Sequence, residues 1–70
     1  MLWLIINEAS HQIISCNTHT TDKGVHQIWI ERPNGKTMLI HESKNKEEVT
    51  EIKEAIDFAI KHGHKTLEIK

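Results

Sequence analysis

Residues 45–62 read as one amphipathic helix with a start signal and a stop signal, and this limits the fold more than any other stretch of the chain. Asn45 is a good N-cap, and Glu48 three residues later completes a capping box. Glu47 and Glu48 favour the positive end of the helix dipole, while Lys61 and His62 favour the negative end. Gly63 fits the left-handed residue just past the terminus. Val49, Ile52, Ile56, Ala59 and Ile60 repeat at the spacing of one buried stripe, with Ala55 at its edge. Phe58 lies about 120° from the centre of that stripe, at 100° per residue, so it points away from the core.

The remaining segments read as strands. Leu2 to Ile6 is a short apolar run ended by the turn-like Asn7-Glu8-Ala9-Ser10. Gln12 to Cys16 is a second apolar run, and the two form either a hairpin or one long bent strand. Asn17 to Gly24 has no periodicity and is expected to be the longest loop. Val25 to Glu31 and Thr37 to Glu42 flank Arg32-Pro33-Asn34-Gly35-Lys36, which suits a type I turn followed by a left-handed glycine. The preferred register sets Ile30 opposite Met38, Trp29 opposite Leu39 and Ile28 opposite Ile40. It also sets Gln27 opposite His41 and His26 opposite Glu42. Thr66 to Ile69 closes the chain as a short strand.

This order predicts an α+β fold and a single domain over residues 1–70. Its expected architecture is a small mixed sheet of four to five strands (β-β-β-β-α-β) with one helix packed on one face. The last strand is expected parallel to the strand before the helix, by a right-handed crossover. The other sheet face, carrying Trp29 and Leu39, is then left open as a surface for self-association.

A core this small supplies about 3–5 kcal/mol unless a disulfide, metal or partner adds to it. Cys16 is the only cysteine, so no internal disulfide forms. In its apolar setting it reads as a buried small hydrophobe in a reducing compartment, the cytoplasm. The apolar start is too short for a signal peptide or a membrane span. Nine Lys+Arg against ten Asp+Glu give a net charge of −1, which disfavours nucleic acid as a partner.

Six histidines stand out from the composition. His62 and His64 form an H-x-H pair, and His19, Asp22 and His26 make a second grouping, but neither supplies a four-ligand zinc set. Ser10-His11 and Ser15-Cys16 place adjacent residues on opposite strand faces, with no third orienting group for nucleophilic catalysis. No glycine-rich loop opens the helix, so a phosphate cradle is not indicated. No metal, cofactor or enzymatic activity is implied.

The stretch Asn45-Lys46-Glu47-Glu48-Val49-Thr50-Glu51-Ile52-Lys53-Glu54-Ala55-Ile56, with Gly63 and Leu67-Glu68-Ile69 after it, resembles the helix and fourth strand of the ribonuclease H-like family. The likeness covers about 25 residues. It implies a strand meander, a helix and a parallel strand, and sets Glu51 at the family's helix carboxylate. The chain departs from the family where the first strand needs an aspartate, having only Asn7 and Glu8. It departs again at the end of the fourth strand, where Lys70 stands. The resemblance therefore implies topology and argues against nuclease activity.

These readings favour a small non-enzymatic binding module, a homo-oligomeric regulator or inhibitor of a protein or small ligand, of the kind phages and mobile elements often carry. The alternative is a histidine-based protein that sequesters a metal or nucleotide-type ligand. His19, His26, Arg32, Lys36 and His41 are the candidate contacts for a small anionic ligand. Trp3, Trp29, Leu39 and Phe58 are the candidate interface residues.

Overall fold

The computed structural model describes residues 1–69. Its helix, α1, spans Lys46–Lys61 and keeps both expected ends. Asn45 Oδ1 accepts from the backbone N–H of Glu47 at 3.0 Å and of Glu48 at 3.4 Å, satisfying donors that the first turn leaves open. The reciprocal half of the capping box is not made. Asn45 N–H donates instead to Ser43 Oγ at 3.0 Å, and the Glu48 carboxylate turns towards His41. At the other end Gly63 takes φ +69°. Gly63 N–H donates to Ile60 O and His64 N–H to Ala59 O, the paired bonds of a Schellman cap.

Six strands accompany the helix among the described residues: β1 Leu2–Ile6, β2 Ala9–Ile13, β3 Ser15–Thr20, β4 His26–Glu31, β5 Thr37–Ser43 and β6 Thr66–Ile69. The α+β class is as the sequence predicts. The layout differs, because the strands form two three-stranded sheets, β2-β1-β6 and β3-β4-β5, rather than one sheet of four to five strands. The division falls at Ile14, where the second apolar run bends. Residues up to Ile13 pair with β1, while Ile14 N–H already donates to Glu31 O at the end of β4. The hairpin and the bent strand are thus both present in one segment.

The stretch expected as the longest loop is mostly strand. β3 reaches Thr20, paired with His26, and the connection is only Thr21 to Val25. Thr21 N–H donates to Val25 O and Gly24 N–H to Thr21 O, matching bond for bond the turn at Arg32 to Lys36. Gly24 and Gly35 both adopt positive φ, at +78° and +84°. Asn17 to Thr20 are exposed throughout, so the apolar alternation that marks a half-buried strand was never present.

The register of β4 with β5 holds near the turn, with Ile30 opposite Met38 and Trp29 opposite Leu39. Beyond Leu39 a β-bulge inserts Ile40 as an extra residue. Ile28 then faces His41, Gln27 faces Glu42 and His26 faces Ser43, one place on from the expected pairs. The bulge lets Ile40 join the core while re-aiming the residues after it. The last strand also departs from expectation: β6 runs parallel to β1, not to β5. The helix spans from sheet to sheet, and Trp3 N–H meets Lys65 O at 2.9 Å as the chain leaves it.

Leu2, Leu4, Ile6 and Ile13 from one sheet meet Cys16, Ile28, Ile30 and Ile40 from the other, and Val49, Ile56 and Ala59 of α1 complete this single core. Met38, Ile52, Ile60, Leu67 and Ile69 pack at its margin. Because Ile56 is fully buried, Ile56→Ala is expected to cost about 2–5 kcal/mol, enough to unfold most of a domain this size in a urea titration. The tight turn from β1 to β2 carries strain. Asn7 at φ +51° and Glu8 at φ +64° both occupy the left-handed region that a two-residue type I′ turn demands. Glu8→Gly is expected to raise stability by about 1 kcal/mol in the same titration. A loss of stability would contradict this reading of the turn.

Candidate interaction surface

Cys16 is the buried nucleophile of the chain, and its surroundings switch it off. Its Sγ donates to Asp57 Oδ1 at 3.3 Å, and Asp57 in turn pairs with Lys53 one helical turn back. Burial first, then the adjacent carboxylate, push the thiol up to about 12 from its ordinary 9.0. Such a group stays protonated and unreactive near neutral pH. Its bond to Asp57 ties β3 to α1, which is a structural task.

The five candidate ligand contacts are not gathered into one pocket. His19 and Gln27 pair on β3 and β4, and Trp29 shares their outward face. His26 lies on the opposite face of the same sheet, where its Nδ1 meets Thr20 Oγ1 at 2.9 Å. Arg32 and Lys36 flank the turn at the other end of the hairpin, about 20 Å away at 3.4 Å per residue. His41 turns towards the first turn of α1, with Nε2 3.4 Å from Glu48 Oε1. That nitrogen is buried and has no aligned hydrogen-bond partner. Among the described residues no group of three or more His, Cys, Asp or Glu is placed to hold a metal ion.

The candidate interface residues also divide. Trp29 and Leu39 are half-buried on the outer face of the second sheet. There Trp29 Nε1 donates to Gln27 Oε1 at 3.1 Å, and Gln27 Nε2 donates to Glu42 Oε2 at 3.2 Å. The indole is thus held by a polar chain across three residues. Trp3, on the outer face of the first sheet, is 45% exposed, and Phe58 is 57% exposed.

Phe58 has a role within the chain as well. Its ring sits 4.2 Å from the His62 ring and 5.9 Å, edge-on, from the His64 ring. His64 is the residue whose N–H closes the Schellman cap, and an apolar contact back to the last turn is the usual companion of that motif. His64 also lines a cleft of about 140 Å³ with Met1, Leu2, Ile13, Ile14, Ile60 and Gly63. Phe58, His64, Ile14 and Met1 therefore form one apolar end of the domain, with Ile14 41% and Met1 75% exposed. Sequence reasoning missed Ile14, because a residue inside an apolar run gives no sign that it stands at a sheet corner.

Two further clefts are open and shallow, one of about 290 Å³ along Asn7 and Leu39 to Glu42, another of about 270 Å³ beside Lys46, Glu47, Thr50 and Glu51. All three fall below the roughly 300–1,000 Å³ of small-molecule sites. Glu51 is exposed on the helix, and Asn7 and Glu8 form the tight turn. The third position of the ribonuclease H-like comparison, Lys70, lies outside the described residues. No helix among the described residues is long and apolar enough to cross a membrane. The chain matches no family model, no curated protein and no solved structure.

Because the folded thiol holds its proton more tightly than the unfolded one, its contribution to stability is complete below about pH 9. It declines as pH rises towards about 12. Cys16→Ala is expected to flatten this alkaline decline. Native Cys16 is expected to resist a disulfide reagent at pH 8 until urea unfolds the chain. Immediate labelling of the folded protein would contradict the assignment.

Proposed function

We propose that the chain is a small non-enzymatic interaction module, a homo-oligomeric regulator or inhibitor that acts by seating a partner protein on its apolar end. The observation that carries this reading is the exposure of Ile14 and Met1 at one cleft, together with exposed Phe58, whose ring meets His64 of the cleft wall edge-on. Large apolar side chains grouped on a surface lose water when a partner covers them, at roughly 25 cal/mol for each Å². Phe58 is already oriented by His62 and His64, so little side-chain freedom is lost on contact. The cleft is too small for a drug-sized ligand but suits one inserted side chain. Burial and protonation of Cys16 fit the absence of nucleophilic chemistry from this proposal. A reducing compartment, the cytoplasm, accords with its unpaired thiol.

Native mass spectrometry of the protein purified from its own host tests the reading. The expected result is a species heavier than the 8.1 kDa chain, with a second protein that Phe58→Asp and Ile14→Asp each release. Both variants are expected to keep their helix signal in circular dichroism. An 8.1 kDa species alone, unchanged by either substitution, would contradict the proposal.

A further inference from the structure

We propose that two copies of this chain join edge to edge through β3, in antiparallel register about a two-fold axis at Thr18, merging two three-stranded sheets into one of six strands. The proposal deepens the self-association in the function proposed above and is independent of the apolar end.

β3 is an edge strand, hydrogen-bonded to β4 on one side only. Thr21 N–H donates to Val25 O, and the register pairs residue for residue back to Ser15. Strand alternation therefore turns the backbone groups of Ser15, Asn17 and His19 towards β4. Those of Cys16, Thr18 and Thr20 point away from it. An exposed edge of this kind is a template for another strand unless charge, proline or a bulge blunts it. β5, the opposite edge of the sheet, carries a bulge and Glu42. β6 has only four residues and includes Glu68. β3 has none of these guards: its sequence is Ser-Cys-Asn-Thr-His-Thr, without Lys, Arg, Asp, Glu or Pro. β2, the fourth edge, shares that composition but is one residue shorter, and His11, Gln12 and Ile13 are half-buried or buried where Asn17 to Thr20 are exposed.

The same edge is complementary to itself. About an axis at Thr18, Cys16 faces Thr20 of the second copy and Thr20 faces its Cys16, while Thr18 faces Thr18. Thr18 pairs with Thr18 by two bonds at the axis, and each flanking Thr20–Cys16 pair adds up to two more, Cys16 itself being 5% exposed beside the helix. Asn17 meets His19 across the axis, and no like charges are opposed. Thr18 and Thr20 are exposed, so the helix does not cover this part of the strand. The helix instead crosses at Cys16, which is bonded to Asp57. Cys16 stands two residues from the axis, which separates the two helix crossings by roughly 13 Å at 3.3 Å per residue. Packed helices need only about 8–10 Å, so both copies fit on the same side of the merged sheet. An edge thus paired is no longer open to wrong partners, and the interface is isologous and closed.

Light scattering on the full chain decides the matter. The wild type is expected at twice 8.1 kDa. Thr18→Pro removes an outward N–H, which an edge strand tolerates, and is expected to halve the mass with the helix signal retained. Thr18→Lys, which opposes two positive charges at the axis, is expected to do the same and decides the question if the proline variant fails to fold. Phe58→Asp is expected to remain dimeric while losing the partner protein. A wild type at 8.1 kDa at its highest soluble concentration would overturn the inference. So would a dimer that persists in a folded Thr18→Lys variant. A dimer lost only in Phe58→Asp would overturn the β3 assignment and leave the apolar-end reading standing.

Discussion

Two sheets and one helix share a single apolar core, and the bend at Ile14 is what makes that possible. A chain this short cannot build a separate core for each sheet. By turning there, one continuous run gives Ile13 to the first sheet and Cys16 to the second, and both side chains stay buried. The stripe of α1, through Val49, Ile56 and Ala59, then meets both sheets at once. The last strand follows from the same geometry, since a helix ending beside the first sheet delivers β6 to the free edge of β1. The bend also has a cost at the surface, because Ile14 itself cannot point inward and remains 41% exposed.

Much of this was legible in residues whose chemistry is local. The helix ends were readable because Asn45 and Gly63 each satisfy a backbone requirement that few residues meet as well. The turn at Pro33, Asn34 and Gly35 was readable for the same reason. β3 was not, because Asn17, Thr18, His19 and Thr20 face water and show no alternation. Its one signal is the Thr21 to Val25 turn, whose glycine takes the role that Gly35 has in the Arg32 to Lys36 turn. The bulge at Ile40 escaped because a one-residue slip is set by whether that isoleucine can reach the core, a tertiary fact. The partner of β6 was also non-local.

The candidate site divides along similar lines. Phe58 falls off the buried stripe in the sequence, and the structure finds it exposed but also packed on His62 and His64. Its place in the cap explains its orientation, while its exposure remains the feature a partner would use. The polar candidates have only their side-chain chemistry in common. They scatter because adjacent positions on a strand face opposite ways, and because turn residues and strand-end residues lie at opposite ends of a hairpin. Ile14 and the β3 edge were invisible beforehand, since one depends on a sheet corner and the other on which strands find neighbours.

What emerges is a domain with one shared core and no deep site among the clefts described above. The clefts described above are small, Cys16 is held protonated, and an apolar end and an unguarded strand edge are exposed among the described residues. Amide hydrogen exchange across a dilution series tests this account most directly, because it reads each backbone group separately. The account predicts that amides at the centre of α1 exchange slowly at every concentration. Those of Thr18 and Thr20 are predicted to be slow only at high concentration and to speed up on dilution. Equal, rapid exchange at Thr18 and Thr20 throughout the series, with α1 still protected, would contradict it.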